Sequence, residues 1–254
     1  MKVLVLGDRG MLGDAVAKFY LESKWNVKSN KGRWPSEEFK DSIRDFDGDL
    51  LINCIGSIPQ KTKDFSINYE LPKFLIKNIK RGIKYIHPDS DCVFDGQISS
   101  GELYGKHVRP NAVDSYGISK ASILELRRER NLKTIRTSII GIDRYKKSLL
   151  SWFLSQTSTV DGYSNHFWNG ITTYQWAKIS RVIFDHWEEY DFITQVGSTP
   201  IRKFDLLCLF KEVFKTQTNI NSVEDKKFIN RCLDTDIQMP SIKYQLEELK
   251  DIYK

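Results

Sequence analysis

The sequence predicts an α/β fold: a doubly wound parallel sheet with a small lobe added toward the C-terminus. Three observations carry this. Strand-like and helix-like segments alternate through the first half of the chain, the strand segments are almost uniformly apolar, and the alternation loosens after about Gly141. Strands that are apolar on both faces and separated by helices belong to a parallel sheet covered on both sides.

The elements follow in order. The first strand is KVLVLG, residues 2–7, an apolar run closed by glycine. MLGDAVAKFYLESK, 11–24, repeats apolar residues at helical spacing. A short strand NVKSN, 26–30, precedes the helix SEEFKDSIRDF, 36–46, which opens on a serine suited to capping. DLLINCIG, 49–56, is a buried strand, INYELPKFLIKNIKRG, 67–82, a helix, and IKYIHPDSD, 83–91, a strand. SYGISKASILELRRER, 115–130, reads as one helix and LKTIRTSIIG, 132–141, as the strand after it.

Residues 1–150 are therefore expected to form a dinucleotide-binding, Rossmann-like domain, and 151–254 mainly a substrate-binding lobe. Within that lobe SLLSWFLSQ, TTYQWAKISRVIFDHWEEY and RKFDLLCLFKEVF read as helices and FITQVGS as a strand. The helix at about 173–188 and the strand are expected to return to the first domain, and the last thirty or so residues to mix loop and short helix. Ligands of open α/β sheets bind in the crevice at the strand ends.

With 254 residues, 40% of them hydrophobic and 12% aromatic, the chain can bury a sizeable core. No apolar run approaches the roughly 20 residues of a membrane span, and the N-terminus enters a strand directly with no secretory signature, so a cytoplasmic protein is expected. Cys54, Cys92, Cys208 and Cys232 lack C-x-x-C spacing. They are expected to be reduced thiols, with neither a disulfide framework nor a metal site. The net charge of +6 is dispersed in runs such as KNIKRGIKY and ELRRERNLK. These read as solvated helix faces, so an anionic small molecule, rather than nucleic acid or a membrane, is the expected partner.

Gly7, Gly10 and Gly13 in LVLGDRGMLGDAV join the first strand to the first helix. Glycines there allow a tight turn and bring backbone close to a pyrophosphate, whose charge lies on the helix N-terminus. Arg9, Met11 and Leu12 belong to the same loop. NAD-specific sites place an acid about 20 positions on to accept the ribose hydroxyls. VKSNKGRW carries Lys28, Lys31 and Arg33 and no acid, which favours NADP(H) over NAD(H).

DSYGISK puts Tyr116 and Lys120 four apart at the start of a helix. With the glycine loop upstream, with DSDCVFDG at 89–96, YGISK at 116–120 and IRTSIIG at 135–141, the chain resembles the extended short-chain dehydrogenase/reductases, and more narrowly the dTDP-4-dehydrorhamnose reductase group. NGITT and INRCLD echo that group's substrate-lobe signatures.

The resemblance implies roles residue by residue. Tyr116 protonates a carbonyl oxygen as hydride arrives, Lys120 holds the nicotinamide ribose and lowers the tyrosine pKa, and Ser90 hydrogen-bonds the same oxygen. Asp89 stands where the group has a serine before its threonine. Cys54, Ile55 and Gly56, following Asn53, lie where the cofactor passes, and Asn68 matches an asparagine that buttresses the site. Arg136 to Ser138 lie where such reductases pass the nicotinamide. Asp91, Val93, Trp168, Arg202 and Arg231 are expected on the substrate, with Arg144, Lys146 and Lys147 in segments that reach its diphosphate. A homodimer through the Tyr116 helix follows the pattern of many relatives, although this helix is rather charged for it.

The activity implied is reduction of the C4 keto group of a UDP- or dTDP-linked 4-keto-6-deoxy-hexose, giving a rhamnose-like or N-acetyl-rhamnosamine-like sugar nucleotide. Cys92 stands where dehydratases of the superfamily have glutamate, which argues against dehydration. Epimerase-reductases carry cysteine there, so a 3,5-epimerase using Cys92 and His166 is the alternative, with a small buried thiol and a loop histidine as the plainer reading. A non-catalytic NADP-binding subunit, like the beta subunit of methionine adenosyltransferase, is the alternative of another class. Retention of Ser90, Tyr116 and Lys120 together counts against it.

Overall fold

Successive residues of the first strand point to opposite faces of the sheet, and this divides the core in two. Val3 and Val5 enter one apolar cluster while Leu4 and Leu6 enter another. The computed structural model describes residues 1–254. Its main strands are β1 (Lys2–Leu6), β2 (Asn26–Ser29), β3 (Leu50–Asn53), β4 (Lys84–Asp89) and β5 (Leu132–Arg136), joined later by Ile193–Gly197 and Ile237–Gln238. The helices are α1 (Met11–Glu22), α2 (Glu37–Arg44), α3 (Ile67–Asn78), α4 (Ser115–Ala121), α5 (Leu149–Leu154), α6 (Thr173–Asp185), α7 (Lys203–Phe214) and α8 (Ile242–Ile252).

The seven strands are all parallel and lie in the order Ile237–Gln238, Ile193–Gly197, β5, β4, β3, β1, β2. The chain moves outward from β1 to β2 and then crosses back to β3. The switch point of this Rossmann-like sheet is therefore between β1 and β3, where a crevice opens at the strand ends. On one face α1 and α6 pack over Val5, Ile52, Ile86 and Ile135; on the other α2 and α3 cover Leu4, Leu51 and Tyr85. Each fully buried aliphatic side chain contributes roughly 1.5–3 kcal/mol relative to exposure, so these rows fix the strand register. A third cluster, built from α5, α7 and α8 around Phe153, Phe210 and Leu246, forms the lobe.

Several elements depart from the sequence expectation. The helix expected over 115–130 is α-helical only to Ala121 and continues as a 3-10 turn over Ser122–Leu126. Ser119 and Ser122 donate their hydroxyls to the carbonyls of Tyr116 and Ser119, three residues back, a local bond that competes with regular helix. The strand expected over 132–141 breaks after Arg136, and Ile139–Ile140 pairs instead with Ile171–Thr172. The strand expected over 83–91 ends at Asp89 and gives way to a turn at Asp91–Val93. The two-residue strand Ile237–Gln238 was too short to show an apolar period, and α8 is longer than the short helix expected there. No helix is long and apolar enough to cross a membrane.

Candidate active site

The glycine loop takes its shape from steric necessity. A Cβ on Gly13 would stand 2.1 Å from the Gly7 carbonyl oxygen, and Gly7 has φ +74° with Ile55 pressed against it. Gly10 N–H donates to the Gly7 oxygen at 2.9 Å and α1 begins at Met11 with no side chain capping it. The first amides of α1 are thus directed into the crevice at the positive end of a helix, a cradle that fits the pyrophosphate of a dinucleotide. Asn30, at the end of β2, accepts from Gly7 N–H at 3.1 Å and donates to the Gly32 carbonyl at 3.1 Å, tying the two turns together. Arg9, Lys31 and Arg33 around this rim are exposed.

The opposite side of the crevice is set by α4. Asp114 caps it, accepting from Gly117 N–H at 2.9 Å. Gly117 itself must lack a side chain, since a Cβ would meet the Cys92 carbonyl oxygen at 2.2 Å. That close approach brings Tyr116 against the turn that carries Ser90. Ser90 and Tyr116 line one cavity of about 660 Å³ together with Asp91, Cys92, Arg231 and Met11.

Asp89 and Arg136 are register partners on β4 and β5, and they form an ion pair of 2.7 Å with both side chains essentially excluded from water. The other Asp89 oxygen accepts from Ser90 N–H at 2.8 Å, while Ser90 Oγ accepts from Cys92 N–H at 3.1 Å. The acid that replaces the group's usual serine is thereby answered by Arg136, and the pair fixes the start of the turn that carries Ser90. One guanidinium nitrogen of Arg136, Nη2, has no partner.

Lys120 Nζ donates to the Pro88 carbonyl at 2.7 Å. Its pKa is lowered by burial, with Asp89 acting against the shift. Burial also raises the Tyr116 pKa above its ordinary value, helped by Cys92 and Asp91 and opposed by the neighbouring Ser90. The lowering expected from Lys120 is not seen: desolvation of the phenolate leads the shift. The phenol is therefore protonated across the neutral range, the form a proton donor requires.

Asn68 lies off the cavity and does not act as a helix cap. Its Oδ1 accepts from Ser57 N–H at 2.8 Å, and its Nδ2 donates to the Ser57 carbonyl at 3.1 Å and to Ser119 Oγ at 3.0 Å. It links the loop after β3, where Cys54, Ile55 and Gly56 lie, to α4.

The structure separates other residues that the sequence grouped. His166 lines a second cavity, with Nε2 3.1 Å from both Asp225 Oδ2 and the Lys227 carbonyl, and does not share the cavity of Cys92. Burial, with Asp91 adding to it, pushes the Cys92 thiol up to about 12. Trp168 is 4% exposed in the lobe core, and Val93 is fully buried beside Phe94 and Tyr104, so neither faces substrate. Arg202 is surface-bound to Asp205 at 2.6 and 3.0 Å. Sequence reasoning missed Lys203, whose ammonium acts on Asp91 and Cys92, and the pairing of Arg136 with Asp89. Neither signal is local in the chain.

A cradle for a dinucleotide, a parallel sheet with its switch point beneath it, and Ser, Tyr and Lys at the adjoining strand end define an NAD(P)-dependent oxidoreductase of the extended short-chain dehydrogenase/reductase type acting on sugar nucleotides. The model of the family described as "RmlD substrate binding domain" matches residues 1–163, and the chain belongs to that family. No curated protein matches the sequence.

Among solved structures, the chain is similar to dTDP-4-dehydrorhamnose reductase from Bacillus anthracis in complex with NADP, at TM-score 0.82 and 15% identity over 100% of this chain and 99% of that one. It is similar to a dTDP-4-dehydrorhamnose reductase from Clostridium acetobutylicum at TM-score 0.76 and 15% identity, over 100% and 99%. The dTDP-glucose 4,6-dehydratase of Bacillus anthracis in complex with NAD follows at TM-score 0.79 and 14% identity, over 100% and 96%. At these identities the likeness is one of fold.

Proposed function

We propose that the protein reduces the C4 keto group of a UDP- or dTDP-linked 4-keto-6-deoxy-hexose, using NADPH, to a rhamnose-like or N-acetyl-rhamnosamine-like sugar nucleotide. The observation that carries this is the meeting of Ser90 and Tyr116 in one cavity with Met11 of the glycine loop, where Lys120 is held by the carbonyl of Pro88, another residue of the cavity wall. A nicotinamide dinucleotide bound in the cradle supplies the hydride. Ser90 Oγ holds the substrate carbonyl oxygen, and Tyr116 Oη delivers the proton to that oxygen as C4 accepts the hydride. Lys120, oriented by the Pro88 carbonyl, would hold the ribose of the cofactor. Arg231 and Asp91 at the cavity wall contact the substrate.

The absence of any acid in the stretch from Lys28 to Trp34, with Lys31 and Arg33 exposed at the end of β2, supports a preference for a cofactor bearing a 2′-phosphate. Lys31→Ala with Arg33→Ala is expected to raise KM for NADPH at least tenfold and to leave KM for NADH within about twofold.

The test of the reaction is to follow NADPH oxidation with UDP- and dTDP-linked 4-keto-6-deoxy sugars made in situ by a dehydratase, with and without a 3,5-epimerase. Oxidation that depends on the epimerase supports a dedicated 4-reductase. Oxidation without it, with inverted stereochemistry, assigns Cys92 to epimerisation. Tight NADPH binding with no oxidation of any sugar points to the non-catalytic subunit.

A further inference from the structure

Lys203 is the first residue of α7, where the helix end is itself positive and a cation is disfavoured. Its side chain is half-buried, yet it forms no ion pair within 4.0 Å and no hydrogen bond. Burial lowers its pKa, Asp91 and Cys92 push the other way, and Arg231 adds to the lowering. Arg231 is similarly unfinished: only Nε is engaged, donating to the Phe94 carbonyl at 2.9 Å. Two cations therefore act on the carboxylate of Asp91, and neither forms an ion pair within 4.0 Å; the other acid on this path, Asp161, lines the second cavity with Lys203.

Their positions give that surplus a direction. Arg231 lines the catalytic cavity, and Lys203 lines the second cavity, of about 490 Å³. Leu149 belongs to both, so the two spaces adjoin. The second is walled by Trp152, Tyr163 and Leu207, and its two aromatic rings are 37% and 41% exposed, available to stack on a flat ring. The order along this path is a reacting carbonyl at Ser90 and Tyr116, then cations, then aromatic faces. That is the order of a sugar, a diphosphate and a nucleoside.

We propose that Lys203, together with Arg231, grips the diphosphate of the substrate at the junction of the two cavities, with the nucleoside base held against Trp152 and Tyr163. The assignment rests on the sugar-nucleotide reading above. Lys203 thus acts in substrate selection: the bound anion supplies the partner that the fold withholds.

The experiment titrates the full chain with UDP and dTDP by calorimetry, measures NADPH affinity by fluorescence, and records the melting temperature without ligand. Lys203→Met is expected to weaken the diphosphate that the wild type binds at least tenfold, to leave NADPH affinity within twofold, and to raise the melting temperature. Lys203→Arg is expected to hold the diphosphate to within threefold. In turnover, Lys203→Met should raise KM for the sugar nucleotide much more than it lowers kcat. A merely structural lysine would lower the melting temperature when removed, so a destabilised or unfolded Lys203→Met overturns the proposal. Undiminished diphosphate binding by that variant overturns it as well and leaves the sugar-nucleotide reading intact. A wild type that binds NADPH but neither diphosphate removes both.

Discussion

On the sheet side of the crevice polar groups are answered within the fold: Asp89 by Arg136, Asn68 by Ser57 and Ser119, Lys120 by the Pro88 carbonyl. On the lobe side Lys203 has no partner and Arg231 only one. The sheet wall must hold Ser90 and Tyr116 to a few tenths of an ångström for proton transfer, so its geometry is settled before substrate arrives. The lobe wall is charged and unpaired, which costs stability and reserves its interactions for the ligand. Substitutions on the two walls should therefore differ in sign: removal of a sheet-side group destabilises, and removal of Lys203 stabilises.

The largest effect is expected at Tyr116. Tyr116→Phe removes the proposed proton donor and should lower kcat by about 10²–10⁴-fold with little change in the unfolding midpoint, because the ring and its edge contact with Phe65, at 5.6 Å between centroids, are kept. The raised pKa adds a pH test. A phenol that titrates above its usual value of about 10 stays protonated, so reduction should hold level up to about pH 9. The reverse oxidation needs the phenolate and should climb with pH throughout. A reduction rate that falls near neutrality would assign the proton to another group.

Next comes the buried pair. Arg136→Met leaves Asp89 buried without a counter-charge and should destabilise the protein by about 3–5 kcal/mol in urea unfolding. Asp89→Ala alone strands Arg136 in the same way. The double variant should lose markedly less than the sum, since neither charge is then left alone. Additive losses would show that the two groups act independently. The contrast with Lys203→Met is direct, as each substitution removes one cation, the first paired within the sheet and the second unpaired on a cavity wall.

This contrast also marks what the sequence discloses. The glycine loop and the Tyr116–Lys120 spacing were legible because each lies within one turn or loop, where spacing is geometry. The Asp89–Arg136 pair spans 47 residues and exists only through the β4–β5 register, which the apolar pattern implies but does not number. Trp168 in the core and Trp152 on a cavity wall look alike in sequence, because an aromatic residue serves packing and stacking equally well. The serines of α4 gave no warning of the 3-10 turn, since a hydroxyl that bonds back to the helix is indistinguishable in sequence from one that faces water.

The smallest expected effect probes the sheet wall through acid. His87 lies beneath the site on β4, 3% exposed, with Nδ1 3.0 Å from Tyr85 Oη and 3.4 Å from Asn53 Nδ2. Burial, aided by the charge of Lys120, holds its pKa well below the usual histidine value of about 6.5. Below that value the unfolded chain takes up a proton that the folded chain refuses, so folding stability falls as pH drops, by up to about 1.4 kcal/mol per pH unit for one group. Carboxylates with depressed pKa contribute a loss of their own at lower pH, so the diagnostic quantity is a difference. Between about pH 6.5 and pH 5, stability of the wild type should fall more steeply than that of His87→Gln, by up to one proton in slope. Equal slopes would mean that His87 takes up its proton in the folded state, and that the sheet wall is less dry than its packing indicates.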